Sequence, residues 1–269
     1  MSENFPAPLI VRARPTGPRT FLSDTLLLTG RNVRLALRTP QLLALASITP
    51  AMFVLLFRYV FGGSIHVPGY PSYVDYLIPG IIVQTSLFGG SSSAVGVAED
   101  MTKGVTDRLR ALPTSRTAIL AARTLADLLR LAYTIALLIA LGYLVGFRFG
   151  GTPLEVAAGL TITLLFGYAC SWLFTLIGLV VRDAESATMA GFLVTFPFVF
   201  ASSIFTAPAT FPHWLETFAE AQPVTHVTDA LRGLSAGTAS LHSVESALAW
   251  SLGIVVVSAV LATWRFRRL

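Results

Sequence analysis

Six apolar runs, each about as long as a bilayer-crossing helix, constrain this chain more than any other feature. A hydrocarbon core about 30 Å thick needs roughly 20 helical residues at 1.5 Å rise per residue. The runs fall at about residues 42–61, 76–98, 124–147, 154–181, 187–205 and 246–264. Backbone groups in lipid must be satisfied within the segment, so the expected fold is an all-α membrane protein with six transmembrane helices. Composition agrees: the 269 residues are 54% hydrophobic and 12% charged, with a mean hydropathy of +0.70, too apolar for an ordinary soluble domain. Within the spans, Pro50 is placed to kink the first, and Arg58 near its far end can snorkel outward. The run Gly89-Gly90-Ser91-Ser92-Ser93 suits close helix contact in the second. In the third, Gly142 and Gly146 form a Gly-x-x-x-Gly step that permits tight packing. Thr152-Pro153-Leu154-Glu155 reads as a capping box that starts the fourth.

The segments between the runs carry their own patterns. Residues 1–41 form one region and 42–269 the membrane domain. The first 19 residues, with Pro6, Pro8, Pro15 and Pro18, read as an arm. From Phe21 to Thr39, Leu22, Leu26, Val33 and Leu37 share one helical face, with Asp24, Arg31, Arg34 and Arg38 opposite. That pattern predicts an amphipathic helix on the membrane surface, its arginines toward anionic headgroups and Pro40 ending it. No run in the first 41 residues resembles a signal-peptide core, so the first span is expected to be retained.

Between the second and third spans, Met101, Val105, Leu109 and Leu112 fall on one face of a short helix, with Glu99, Lys103, Asp107 and Arg110 on the other. Pro113 should stop it. From pattern alone, such a helix either rests on headgroups or presents a charged docking surface. Arg123, Asp127 and Arg130, at spacings of four and three, can pair on one face near the cytoplasmic end of the third span; that local pairing is preferred to a proton relay. After the fifth span, Ala207 to Gly237 is too polar and proline-broken to cross. It carries two amphipathic stretches: Trp214, Leu215 and Phe218 opposite Glu216 and Glu220, then Val224, Val227, Leu231 and Leu234, with Asp229 and Arg232 close enough to pair. Two short helices dipping into or lying on the outer leaflet are predicted, with the Trp214 and Phe218 face shielding the outer mouth of a pathway.

Charge sets the expected orientation. The N-terminal segment carries six basic residues, the 99–123 loop five, the turn at 182 one and the C-terminus three, whereas the alternate loops hold Arg148 and Arg232. Both termini should therefore be cytoplasmic. The pI near 9.8 is a matter of topology, and no nucleic-acid partner is expected.

Several chemistries find no support in the sequence. The sole lysine, Lys103, is followed by Gly104 and Val105, so no phosphate-binding loop of the Gly-Lys-Ser/Thr kind exists. One cysteine, Cys170, lies inside an apolar run and makes no metal motif. His66, His213, His226 and His242 lack zinc spacing. No nucleophile elbow or carboxylate pair points to hydrolysis, so the chain is not expected to be an enzyme.

A surface helix ending Arg38-Thr39-Pro40, six spans, the loop Asp107-Arg108-Leu109-Arg110-Ala111-Leu112-Pro113-Thr114-Ser115-Arg116 and the outer segment Gln222-Pro223-Val224-Thr225-His226-Val227-Thr228-Asp229-Ala230-Leu231-Arg232-Gly233 together resemble the ABC type-2 permeases, in particular bacterial exporters of the daunorubicin-resistance type. Thr39 and Gln222 stand where that family often has asparagine, which touches capping more than function. The resemblance implies a permease of the cell membrane that dimerises with a second copy or a sister chain and binds two ABC ATPase subunits. ATP and magnesium would then sit in the partner, with no cofactor in this chain. It also implies that the loop after span two is a coupling helix in a groove of the ATPase, with Glu99, Lys103, Gly104, Asp107, Arg108, Arg110 and Pro113 at the matching positions. An outer gate region would comprise Trp214, Phe218, Pro223, Asp229 and Arg232. The substrate path would lie near spans one, two and five, and an amphipathic drug, lipid or glycolipid-like molecule is the implied cargo. The rivals are an ion-coupled secondary transporter and a structural membrane subunit. The first should show mid-membrane ionisable groups or repeated broken helices, and no internal repeat is evident.

Overall fold

The computed structural model describes residues 23, 25–30, 32, 34, 40–62, 67, 69, 70, 72–105, 116–181 and 183–268. Among these the ordered elements are helical: α1 (Pro40–Leu56), α2 (Tyr73–Thr102), α3 (Arg116–Leu144), α4 (Pro153–Val181), α5 (Ala184–Phe200), α6 (His213–Ala221), α7 (Pro223–Ala236) and α8 (Leu241–Arg268). α1 runs on into a π-helical turn, Phe57–Phe61. By length and composition, Tyr73–Thr102, Thr117–Leu144, Pro153–Val181 and Leu241–Arg268 can cross a membrane, while Ser47–Val60 and α5 are apolar but shorter.

The helix starts follow local chemistry. Ser72 caps α2, its hydroxyl accepting from the Val74 N–H at 3.3 Å. The capping box at Thr152 closes in both directions: the Thr152 N–H donates to Glu155 Oε2 at 2.7 Å, and the Glu155 N–H donates to Thr152 Oγ1 at 3.4 Å. Asp183 caps α5 by accepting from the Ser186 N–H at 2.7 Å, and that bond holds its carboxyl below the usual carboxylate range. Pro223 occupies the first turn of α7, and Gly237 ends it at φ +74°, a conformation that favours glycine. Arg265, Arg267 and Arg268 lie in the last turn of α8, where cations complement the helix dipole.

α2 is the central helix, packed against α3, α4, α5 and α7, and α4 in turn carries α8. Small residues set the α2–α4 spacing. A Cβ on Gly90 would come within 2.8 Å of Cys170 Cβ, and one on Gly178 within 2.5 Å of the Ala94 carbonyl oxygen. The glycine run of the second span thus does make close contact.

Four expectations are corrected. α3 ends at Leu144, so Gly146, at φ +104° with nothing near its Cβ position, is a turn residue; Gly142 alone of the Gly-x-x-x-Gly pair meets a neighbour, Ile78 Cγ2 at 3.3 Å. Glu99 and Met101 belong to the last turns of α2 and not to a separate loop helix, because the chain breaks at Gly104 (φ +65°) before helical geometry resumes at Val105. α7 does not rest on lipid by its apolar face: Val224, Val227, Leu231 and Leu234 are buried in the main core with α2 residues such as Leu77 and Ile81. Arg123 does not join Asp127 and Arg130 but reaches across to Asp100 on α2. At four residues' spacing it could serve either partner, and the approach of α2 and α3 makes the interhelical one available.

Candidate functional site

Three groups of residues are candidates for function, and they lie at different places in the fold. The first is a cavity of about 480 Å³ between α1, α2, α3 and α5, floored in part by α4. Its apolar wall is aromatic. Phe53 comes from α1, Phe88 from α2 and Phe192 and Phe196 from α5, and Phe88 meets Phe196 edge to face with ring centres 6.1 Å apart. Polar side chains line the cavity too, among them Gln84, Ser92, Asp127 and Arg130, together with Leu131 and small residues. The Arg130 guanidinium lies 3.2 Å from Asp127 and donates to Ser92 Oγ at 2.7 Å, while Ser93 donates to the Asp127 carboxylate at 2.6 Å. The i, i+3 pairing of Asp127 with Arg130 was expected; its stitching of α3 to the serines of α2 was not, since nothing in one helix's spacing reports what a second helix brings alongside. Gln84, buried on α2, lines the same cavity, and its Oε1 has no hydrogen-bond partner.

The second group is the segment after α2. Lys103 donates to Glu99 Oε2 at 2.7 Å, an exposed i, i+4 pair that raises the Lys103 pKa above its ordinary value. Gly104 supplies the left-handed residue that turns the chain away. On the other side of the loop, Arg123 on α3 pairs with Asp100 and lies over Gly96, where any Cβ would strike its guanidinium. The ends of α2 and α3 that flank the loop are therefore tied together. Asp107, Arg108, Arg110 and Pro113 lie outside the described residues, as do Leu109 and Leu112.

The third group closes the opposite end of the bundle. α5 stops after Pro197, and residues 201–207 run without regular helix. Their carbonyl groups need partners, and side chains of α2 and α7 supply them. Gln222 Nε2 donates to the Ala201 oxygen, Tyr76 to that of Ser203 at 2.6 Å, Arg232 to that of Ile204 at 2.8 Å, and Tyr73 to that of Phe205 at 3.3 Å. Arg232, only 2% exposed, is the hub. It also donates to the Tyr76 carbonyl at 2.9 Å, sits 3.4 Å from the Tyr76 ring centre and pairs with Asp229 at 3.3 Å. The expected Asp229–Arg232 pair is present, but the burial of Arg232 could not be read from a segment that looks polar. Pro223 opens α7, the helix that carries Arg232.

Trp214 and Phe218 are brought elsewhere. α6 turns Ala219 inward and leaves Trp214 73% and Phe218 41% exposed, so these aromatics form an outward face, with Phe218 near the Phe198 ring at 5.9 Å. Among the described residues, no three His, Cys, Asp or Glu side chains are grouped to hold a metal.

The sequence pattern described as ABC-2 type transporter matches residues 23–235, which takes in α1 through α7 and all three groups. The chain belongs to the ABC-2 type transporter family. As a member it is a multi-pass membrane protein. Similar curated proteins include the daunorubicin resistance ABC transporter permease protein DrrB1 of Streptomyces coeruleorubidus, 34% identical over 220 residues covering 82% of this chain and 77% of the relative. The probable doxorubicin resistance ABC transporter permease protein DrrC of Mycobacterium tuberculosis is 26% identical over 263 residues, covering 97% and 95%. The doxorubicin resistance permease DrrB of the same organism is 26% identical over 195 residues, covering 70% and 68%.

Proposed function

We propose that this ABC-2 chain is the membrane-spanning subunit of an exporter that moves an amphipathic molecule out of the cell with ATP hydrolysed in separate subunits. The observation that carries this reading is the family match across residues 23–235, supported by relatives named as daunorubicin or doxorubicin resistance ABC transporter permeases. In this reading the chain crosses the cell membrane six times, with α1 and α5 completing the spans of α2, α3, α4 and α8. Both termini are cytoplasmic, residues 1–41 precede the membrane domain as an arm and interfacial helix, and the permease works as a dimer with itself or a sister chain. An ATPase dimer holds ATP and magnesium. Residues 103–115 are the coupling segment, and the Asp100–Arg123 pair holds its two ends so that force on the loop reaches α2 and α3 together. The cavity lined by the aromatic side chains and the Asp127–Arg130 pair is part of the substrate path. The Trp214 and Phe218 face of α6 and the Arg232 hub make up the outer gate region.

The reading is tested by asking whether the purified permease captures an ABC ATPase subunit. Capture and hydrolysis stimulated by the permease are expected. Asp107→Arg with Arg110→Glu, which replaces attraction by repulsion at a charged contact, should reduce capture several-fold at equal membrane insertion. Unaltered capture by the double variant would remove the coupling assignment.

A further inference from the structure

The cavity between α1, α2, α3 and α5 is lined by an ion pair whose two members are not equally engaged. Both oxygens of Asp127 are taken: Oδ2 accepts from Ser93 at 2.6 Å, and Oδ1 lies 3.2 Å from Arg130 Nη2. The same Nη2 donates to Ser92 at 2.7 Å. A guanidinium has five N–H donors, and those on Nε and Nη1 of Arg130 make no hydrogen bond among the described residues. Nor are they sealed inside the protein, as Nε of Arg123 is. The Asp127 side chain is 15% exposed and that of Arg130 34%, so the pair buries its carboxylate and leaves donors open. Neighbouring hydroxyl protons are spent on helix backbone: Ser92 donates to the Gly89 carbonyl at 2.7 Å and Thr134 to that of Arg130 at 3.1 Å. An ionisable group within a membrane is costly, and one that lines a cavity with donors to spare is placed to meet a ligand.

Two further observations narrow the ligand. Asp127 already neutralises Arg130, so a ligand's formal charge would enter without a counter-charge, whereas a neutral oxygen still gains a charge-assisted hydrogen bond. On α2, Ser92 stands one helical turn, about 6 Å, from Phe88. The Phe88 ring meets that of Phe196 edge to face, so the polar and aromatic parts of the lining adjoin within the length of a small ring system. We propose that this cavity binds an uncharged ligand with a flat apolar body and an oxygen acceptor such as a ketone, and that Arg130, oriented by Asp127 and Ser92, donates to that oxygen. The inference rests on reading the cavity as part of the substrate path.

The test uses the full-length permease in lipid nanodiscs and two flat probes of one outline, fluorenone and fluorene, which lacks the oxygen. Both are radiolabelled and measured by equilibrium dialysis, with partition into empty nanodiscs subtracted. Asp127→Asn with Arg130→Leu removes both charges together, leaves no unpaired charge in the membrane and keeps an acceptor for Ser93. The double variant should bind fluorenone about tenfold more weakly and fluorene within about twofold of wild type. Phe196→Ala should weaken both probes. A second readout needs no variant at the pair: benzophenone, whose carbonyl oxygen attacks the nearest C–H under near-ultraviolet light, should label residues flanking Arg130, such as Leu131 and Thr134. Equal effects of the double variant on the two probes, none on either, or benzophenone adducts confined to the Phe53 and Phe192 end would overturn the role of Arg130 while leaving the cavity as a ligand site. Tighter binding of fluorene carboxylate than of fluorenone would overturn the uncharged class. Failure of the wild-type permease to bind either probe, or indifference of both to Phe196→Ala, would overturn the reading of the cavity and the proposal with it.

Discussion

Arg232 shows how much one side chain can hold. A guanidinium offers five donors in a rigid fork, and here they serve the Tyr76 and Ile204 carbonyls, Ser203 Oγ and Asp229 at once. Lysine keeps the charge but not the fork. Arg232→Lys should therefore destabilise the purified protein by about 2–4 kcal/mol, because buried carbonyls lose their donors and a buried charge loses geometry. Thermal unfolding in detergent measures it, and an unchanged midpoint would mean that the 201–207 segment is held by other contacts. Trp214 and Phe218 make the opposite case. Their exposure predicts that replacing both by Ser leaves the midpoint nearly unchanged but impairs export if the outward face shields the pathway. Loss of stability and ATPase capture together would instead assign them to folding.

At the scale of elements, the α2–α4 contact and the cap of α5 are the points where single changes should act through a helix. Leucine at Gly178 would drive a side chain into the Ala94 backbone, which cannot give way as a flexible side chain can. Gly178→Leu is expected to cost at least about 1–3 kcal/mol and to lower the yield of folded permease, read by size-exclusion profile and unfolding midpoint. A wild-type profile would show that the two helices separate freely. For α5, the folded-state pKa of Asp183 lies below its free value, so its cap is fully present at neutral pH and is lost only as pH falls through the lowered value in acid. Asn caps as well as Asp, so Asp183→Asn should preserve amide protection at Ser186 at neutral pH, and Asp183→Ala should not. Hydrogen exchange resolves the two.

Taken whole, the molecule was legible where its signal is local. Apolar length placed the long helices, the Thr152–Glu155 spacing placed the start of α4, and the period of Val224, Val227, Leu231 and Leu234 marked the apolar face of α7, though not that α2 rather than lipid covers it. The features that escaped are set by what other elements bring near. Arg232 is buried because Tyr76, 156 positions away in the sequence, meets it under the broken end of α5. The helix break at Gly104 escaped because the amphipathic period runs through it, and a single left-handed residue leaves the period unaltered. The cavity is a property of five helices and of none alone. Orientation can be checked directly. With Cys170→Ser as background, Ser72→Cys and Ser240→Cys should react with an impermeant thiol reagent from outside, and Thr114→Cys should not. Labelling at position 114 from outside would reverse the topology.

The central claim, that this chain carries cargo for a separate ATPase, is tested most directly in inside-out vesicles holding the permease and its ATPase, with doxorubicin as the fluorescent probe. ATP should drive accumulation that survives a protonophore and vanishes when the ATPase cannot hydrolyse. Accumulation driven by a proton or sodium gradient without ATP would contradict the account and make this chain an ion-coupled carrier.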